Sequence, residues 1–278
     1  MSNLSSTTQD IVIQHPERWT LILRVGYSAV KFIMYCDDIE NSLISRELPL
    51  NLDMNDYLKA LENCIYDNPV LIQDFKTIAV SVASRHFVIL PDEMCADDTM
   101  LDVVDYMYVD DDGDREQCQL ERTGASIAYT LPHGVISFLQ RTFNMPKIVH
   151  HLTPLVRYST IKSEKSRMTK MLVHISDSEM DMCVMRNGEL MMANTFTCRN
   201  VDEMQYYILN AWQNLSLDVM NDELQLSGDK AVRDELMPHL RKYISYVMPI
   251  IFPASAMKIG QDAIKAPFDL ILLSQCVL

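Results

Sequence analysis

Leu21–Met34 reads Leu-Ile-Leu-Arg-Val-Gly-Tyr-Ser-Ala-Val-Lys-Phe-Ile-Met, and Met171–Val184 reads Met-Leu-Val-His-Ile-Ser-Asp-Ser-Glu-Met-Asp-Met-Cys-Val. Each is strand, tight turn, strand, and the two lie a uniform 150 positions apart. Apolar and β-branched residues flank a short polar turn in both, the signature of a β-hairpin. A hairpin used twice predicts two similar domains facing each other across a cleft.

The surrounding pattern repeats as well. In the first half, Trp19–Gly26, Ala29–Cys36 and Ser42–Leu48 read as strands. A helix follows over Met54–Tyr66 with Asp53 as its expected N-cap, then strands at Lys76–Ala83 and His86–Leu90. An insertion-like stretch carries a short helix at Thr99–Val109, an acidic turn at Asp110–Asp114, and strands at Gln117–Arg122 and Ala125–Leu131. His133–Phe143 reads as a helix and Lys147–Val156 as a strand, before a polar connector at Ser159–Lys170.

The second half gives strands at Met171–Ile175, Asp181–Arg186 and Leu190–Phe196, with Asn187-Gly188 predicting a type I′ turn. A helix at Val201–Leu215, a strand at Glu223–Leu226, a helix at Lys230–Tyr243 and a strand at Tyr246–Ile250 complete it. This grammar predicts an α/β protein of mixed sheets covered by helices. The expected first domain is residues 1–158, with an insertion at about 92–131, and the second is 159–254. Residues 255–278 are expected to cross back onto the first, and Met1–Asp10 reads as a disordered tail.

Composition bounds the function. The 278 residues carry a formal net charge of −14, which opposes binding to nucleic acid or anionic membrane. Seven cysteines without zinc or C-x-x-C spacing predict buried, reduced thiols, hence a cytoplasmic protein. No secretory signal or membrane-spanning apolar run is visible.

In this element order and in its turns the chain resembles the actin-like ATPase superfamily, in which two ribonuclease-H-like domains flank a nucleotide cleft. Sugar kinases, chaperone ATPase domains, actin and bacterial actin-like assembly proteins belong to it. The nearest resemblance is to cell-division and pilus-assembly members, and to a small family of uncharacterised bacterial proteins. The resemblance implies phosphate contacts at Gly26, Tyr27, Ser28 and Lys31 in the first hairpin. It implies Ser176, Asp177 and Asp181 in the second, and Gly228 at the adenosine loop. These are cofactor-binding candidates only if a nucleotide binds.

The family's motifs are altered at those positions. Asp-x-Gly of the first phosphate loop is Arg24-Val25-Gly26 here, with Lys31 kept. Asp-x-Gly-Gly-Gly-Thr-x-Asp of the second is His174-Ile175-Ser176-Asp177-Ser178-Glu179-Met180-Asp181, which keeps only the last acid. Glycines let a backbone cradle phosphate through its N–H groups. A carboxylate about 4 Å from a phosphate charge costs about 1 kcal/mol in water-like surroundings and about 4 at an effective dielectric near 20. The expectation is therefore a pseudo-ATPase: no catalytic residues, no cofactor, no metal. A protein partner is its expected ligand, with self-association also open. The alternative is an ATPase with a rearranged cleft.

Simpler readings stand beside these. Gly26 is read as a turn residue at positive φ. Lys31 and Asp181 are read as solvated strand positions, with pairing across a closed cleft as the alternative. His174 is read as a structural group. His150-His151, on a strand, are expected to point to opposite faces. Asp110–Asp114 is read as a solvated turn, since its spacing fails the EF-hand pattern. The 19 methionines are read as core filling. The apolar tail Pro267–Leu278 is expected to dock on its own domain, a partner-binding segment being the alternative.

Overall fold

Alternating apolar residues build two five-stranded sheets of one topology. The structure, a computed structural model, describes residues 11–52, 56–95, 99–254, 256 and 259–276. In the first sheet β1 (Thr20–Val25) pairs antiparallel with β2 (Ala29–Tyr35), and β2 with β3 (Ile44–Pro49). On its other side β1 pairs parallel with β4 (Thr77–Val82), which pairs parallel with β8 (Lys147–His150). The sheet order is β3-β2-β1-β4-β8.

The second sheet repeats this as β11-β10-β9-β12-β13. Its strands are β9 (Lys170–Ser176), β10 (Glu179–Arg186), β11 (Glu189–Thr197), β12 (Glu223–Gly228) and β13 (Tyr246–Pro249). The hairpin registers agree: Arg24 stands opposite Lys31, and His174 opposite Asp181. Asn187 (φ 53°) and Gly188 (φ 85°) form the left-handed pair expected of the Asn-Gly turn. Smaller is the three-stranded sheet of β5 (Phe87–Pro91), β7 (Ala125–Leu131) and β6 (Asp114–Leu120), in the order β5-β7-β6.

Seven α-helices are described: α1 (Tyr57–Tyr66), α2 (Thr99–Met107), α3 (Val135–Thr142), α4 (Leu152–Ser163), α5 (Val201–Asn214), α6 (Lys230–Leu240) and α7 (Phe268–Ser274). Asp53 and Met54 lie outside the described residues, as does the expected Met1–Asp10 tail. The cap observed on α1 is Asp56, whose Oδ1 accepts the Lys59 N–H at 3.0 Å.

The chain divides into two compact units. One holds the described residues up to Gln119, with Ser126–His151 and the chain from Pro253 onward; the other holds Leu120–Ala125 and Leu152–Phe252. In the second unit, Met171, Val173, Ile175, Met180, Met182 and Val184 pack against Met204, Ile208 and Trp212 of α5 and Leu236 and Leu240 of α6. Each such side chain is worth about 1.5–3 kcal/mol of burial. Met171, Met180, Met182 and Met204 fill this core, whereas Met94, Met107, Met145, Met191 and Met220 are exposed.

Three expectations fail here for one reason. Lys147–Val156 is not one strand: β8 stops at His150 and α4 begins at Leu152. Pro154 is tolerated because it falls in the first turn, whose N–H groups lack intrahelical acceptors. The first part of the polar connector is correspondingly helical, with Ser159, Thr160 and Ser163 of α4 buried. His150 and His151, divided between strand end and turn, do not point apart: their ring centroids lie 4.2 Å from each other.

Candidate functional site

The first hairpin turn is closed upon itself. The Gly26 N–H donates to Ala29 O at 3.0 Å, Leu50 N–H donates to Ser28 O at 2.8 Å, and Tyr57 Oη donates to Gly26 O at 2.7 Å. Burial pushes the Tyr57 phenol well above its usual range, so it stays a donor. Gly26 is not at positive φ, contrary to expectation. A Cβ there would meet Ala29 O at 3.0 Å, so close backbone approach limits this position. The Tyr27 ring carries the Arg85 guanidinium at 4.1 Å.

Arg24 is where the resemblance places a metal-linked acid, and it is buried. Its Nη1 donates to Asp269 Oδ2 at 2.7 Å, with both side chains 4% exposed. Asp269 belongs to α7, which packs on β1 and β4 and whose residues are all buried. Lys31, across from Arg24, is half-buried.

The second hairpin turns through Asp177 and Ser178, with Asp177 at φ 58°. Asp tolerates this left-handed conformation through local hydrogen bonding, so glycine is dispensable for the turn itself. His174 is buried, its Nδ1 3.0 Å from Ser227 Oγ. The Ser227 hydroxyl donates to Val173 O at 3.2 Å, which leaves His174 Nδ1 as the donor in their bond. Asp181 is not a solvated strand position. It is 1% exposed and accepts from Thr195 Oγ1 at 2.8 Å. The reason is α4, which packs on β9 and β10. Met180 and Met182 face α5 and α6, so Asp181 and its cross-strand neighbour His174 lie on the side that α4 covers.

Gly228 ends β12 against β9. It has φ 92°, and a Cβ there would fall 1.8 Å from Ile175 O. The next amide, Asp229 N–H, donates to Ile175 O at 2.8 Å, and Asp229 Oδ1 caps α6 by accepting Val232 N–H at 3.0 Å. Gly228 is thus set by strand packing, beside the Ser176–Asp177 turn. The structure brings Gly26, Tyr27, Ser28 and Lys31 together in one unit, and Ser176, Asp177, Asp181 and Gly228 together in the other.

A pocket of about 340 Å³ adjoins the first turn, lined by Tyr27, Ser84, Arg85, His86, Asp111 and Thr130 among others. Asp111 is no solvated turn residue. It accepts from Thr130 Oγ1 and from Gly113 N–H, and lies 2.5 Å from His86 Nδ1. Burial alone pushes its carboxyl up, but the hydrogen bonds from Thr130, His86 and Gly113 outweigh burial and bring it down to about 2. Asp114 likewise lies 2.7 Å from His133 Nδ1 and accepts Gly134 N–H. The bonds from His86, Thr130, His133 and Gly134 were hidden in the sequence because these residues lie 19–25 positions away.

The residues present do not suit a magnesium nucleotide bound by the family's route. Carboxylates are replaced by Arg24 and His174, each committed to an internal partner, and the second turn has no glycine to clear space for phosphate. Among the described residues no group of three or more His, Cys, Asp or Glu is arranged to hold a metal.

A family model described as a protein of unknown function, DUF3822, matches residues 8–247. The chain belongs to that family. This DUF3822 member is similar to a solved protein from Bacteroides thetaiotaomicron VPI-5482, described as having an actin-like ATPase fold and unknown function. They share 21% identity over 93% of this chain and 96% of that one, with a TM-score of 0.77. It is also similar to a chain of the PilM–PilN type IV pilus biogenesis complex, at 12% identity over 93% and 98% of the two chains and a TM-score of 0.57. The DUF3822 chain therefore has the actin-like ATPase fold. Comparison with curated proteins finds no match. Among the described residues no helix is long and apolar enough to cross a membrane.

Proposed function

We propose that this protein is a non-catalytic member of the actin-like fold that acts by binding another protein. The observation that carries the reading is the Arg24–Asp269 ion pair, 2.7 Å long and 4% exposed on each side. A cation bound there would meet a guanidinium instead of a carboxylate. Moving Arg24 aside would break a buried ion pair, a cost of about 3–5 kcal/mol. His174, bonded to Ser227 under α4, supports the same reading in the second unit. That a PilM chain of this fold forms a complex with PilN is in keeping with a protein partner. A cytoplasmic location goes with it, since none of the seven cysteines is in a disulfide and four are buried.

The second reading is a nucleotide-binding ATPase with a rearranged cleft. It is favoured by the pocket beside Tyr27, where Arg85 would offer a cation to phosphate. Thermal melting with magnesium-ATP and magnesium-ADP separates the two. A ligand at a hundred times its Kd stabilises by about 2.7 kcal/mol, which raises Tm by several degrees. The expected result is no rise and no phosphate release. A dose-dependent rise that Lys31→Ala abolishes would replace the scaffold with the ATPase.

A further inference from the structure

The segment Asp92–Asp114 carries ten acidic residues and no Lys or Arg, in a chain whose whole net charge is −14. At its centre is α2. The inward side of this helix, Met100 and Val104, packs on Ala128 and is almost fully buried. Its outward side carries the exposed Asp102, Asp105 and Tyr106, and the turn that follows it carries the exposed Val109 and Asp110. Tyr106 is 83% exposed and Val109 79% exposed, and neighbouring Met107 is 58% exposed. Tyr106, Met107 and Val109 thus stand in water within four positions, among carboxylates.

The hairpin that follows is braced. Arg115 donates to Asp105 Oδ1, Gly113 O and Asp111 O at 2.5–2.6 Å, while Asp111 and Asp114 are held by His86 and His133. Those bonds fix the end of α2 and leave the field negative. Asp102 and Asp110 have no cationic partner among the described residues.

We propose that the outward side of α2, together with the Val109–Asp110 turn that follows it, docks a basic, amphipathic segment of a protein partner. Its lysines or arginines would meet Asp102 and Asp110, and its apolar side chains would cover Tyr106 and Val109. Nine residues of helix present a surface about 14 Å long, enough for two or three turns of a partner helix. A second copy is disfavoured as occupant, because it would bring the same negative charge to the contact. The inference rests on the protein-binding reading and gives that partner its chemistry.

The test uses the full chain and a labelled 14-residue Lys/Leu peptide with leucines at helical spacing. Its scrambled isomer and a Glu/Leu counterpart are the controls, read by fluorescence anisotropy at low and high salt. The designed peptide should bind, and weaken with salt as the Debye length shrinks. Tyr106→Ser/Val109→Ser and Asp102→Asn/Asp110→Asn should each weaken it by about tenfold, with unchanged circular dichroism. Equal binding of the scrambled isomer, or unaltered binding by both double variants, would overturn the proposal. A Tyr106-dependent dimer in sedimentation would also overturn it, in favour of self-association. A cellular cross-linked partner unaffected by Tyr106→Ser/Val109→Ser would remove this surface while leaving protein binding intact. A magnesium-ATP melting shift would strike the scaffold reading instead.

Discussion

Arg24 and His174 occupy the same register position in the two hairpins, the first opposite Lys31 and the second opposite Asp181, and each is buried inside its own unit. Neither basic residue is poised on a surface. Arg24 is committed to Asp269 on α7, and His174 to Ser227 on β12. Two positions that resemble metal-linked acids have thus become internal fastenings.

Removing one side of the first fastening should be costly. Asp269→Ala is expected to lower stability by about 3–5 kcal/mol, because it breaks a buried ion pair. The double variant Arg24→Met/Asp269→Leu should recover most of that loss. Denaturant titration of the wild type, Asp269→Ala and the double variant measures this, and a double variant no more stable than Asp269→Ala would contradict it.

The two candidate glycines should differ sharply. Gly228→Ala combines a positive φ with a Cβ 1.8 Å from Ile175 O, and should cost about 3 kcal/mol or more. Gly26→Ala has no such φ and meets Ala29 O at 3.0 Å, so about 1 kcal/mol is expected. Equal melting temperatures for the two variants would refute the assignment.

Tyr57→Phe removes the hydroxyl that donates to Gly26 O, and should cost about 1 kcal/mol. The loss should appear as faster hydrogen exchange in the first turn. An unchanged exchange rate at Gly26 and Leu50 would show that the turn does not depend on this bond.

Stability around Gly134 should have a pH window. The Asp114 hydrogen bond raises His133 above its usual value, while hydrogen bonds from His133 and then Gly134 N–H lower Asp114. The raised His133 contributes fully below its unfolded pKa and is lost as pH rises through the folded one. The lowered Asp114 contributes above its unfolded pKa and is lost as pH falls through the folded one. Protection of the Gly134 amide should therefore be greatest between roughly pH 4 and pH 6.5. His133→Gln should flatten the upper edge of this window.

Local chemistry was legible where neighbours in sequence decide it. The paired hairpins and the Asn187-Gly188 turn depend on residues a few positions apart, and each was readable as such. The burial of Asp181 was not. It depends on α4, whose residues Leu152–Val156 looked like a strand because apolar β-branched runs suit either state. Once that helix was missed, its cover over β9 and β10 was missed too. The His86–Asp111 and His133–Asp114 pairs were likewise invisible, because an acidic run does not state which distant histidines will reach it.

By itself the sequence determined the strand–turn–strand units, their repetition and the replacement of phosphate-loop glycines and acids, because periodicity and turn preference act over a few residues. Only the tertiary structure decided what the replacements do. Whether Arg24 is an exposed cation or a buried one depends on a carboxylate 245 positions later, brought to it by α7. Long-range burial sets the charge environment, and no local pattern encodes it.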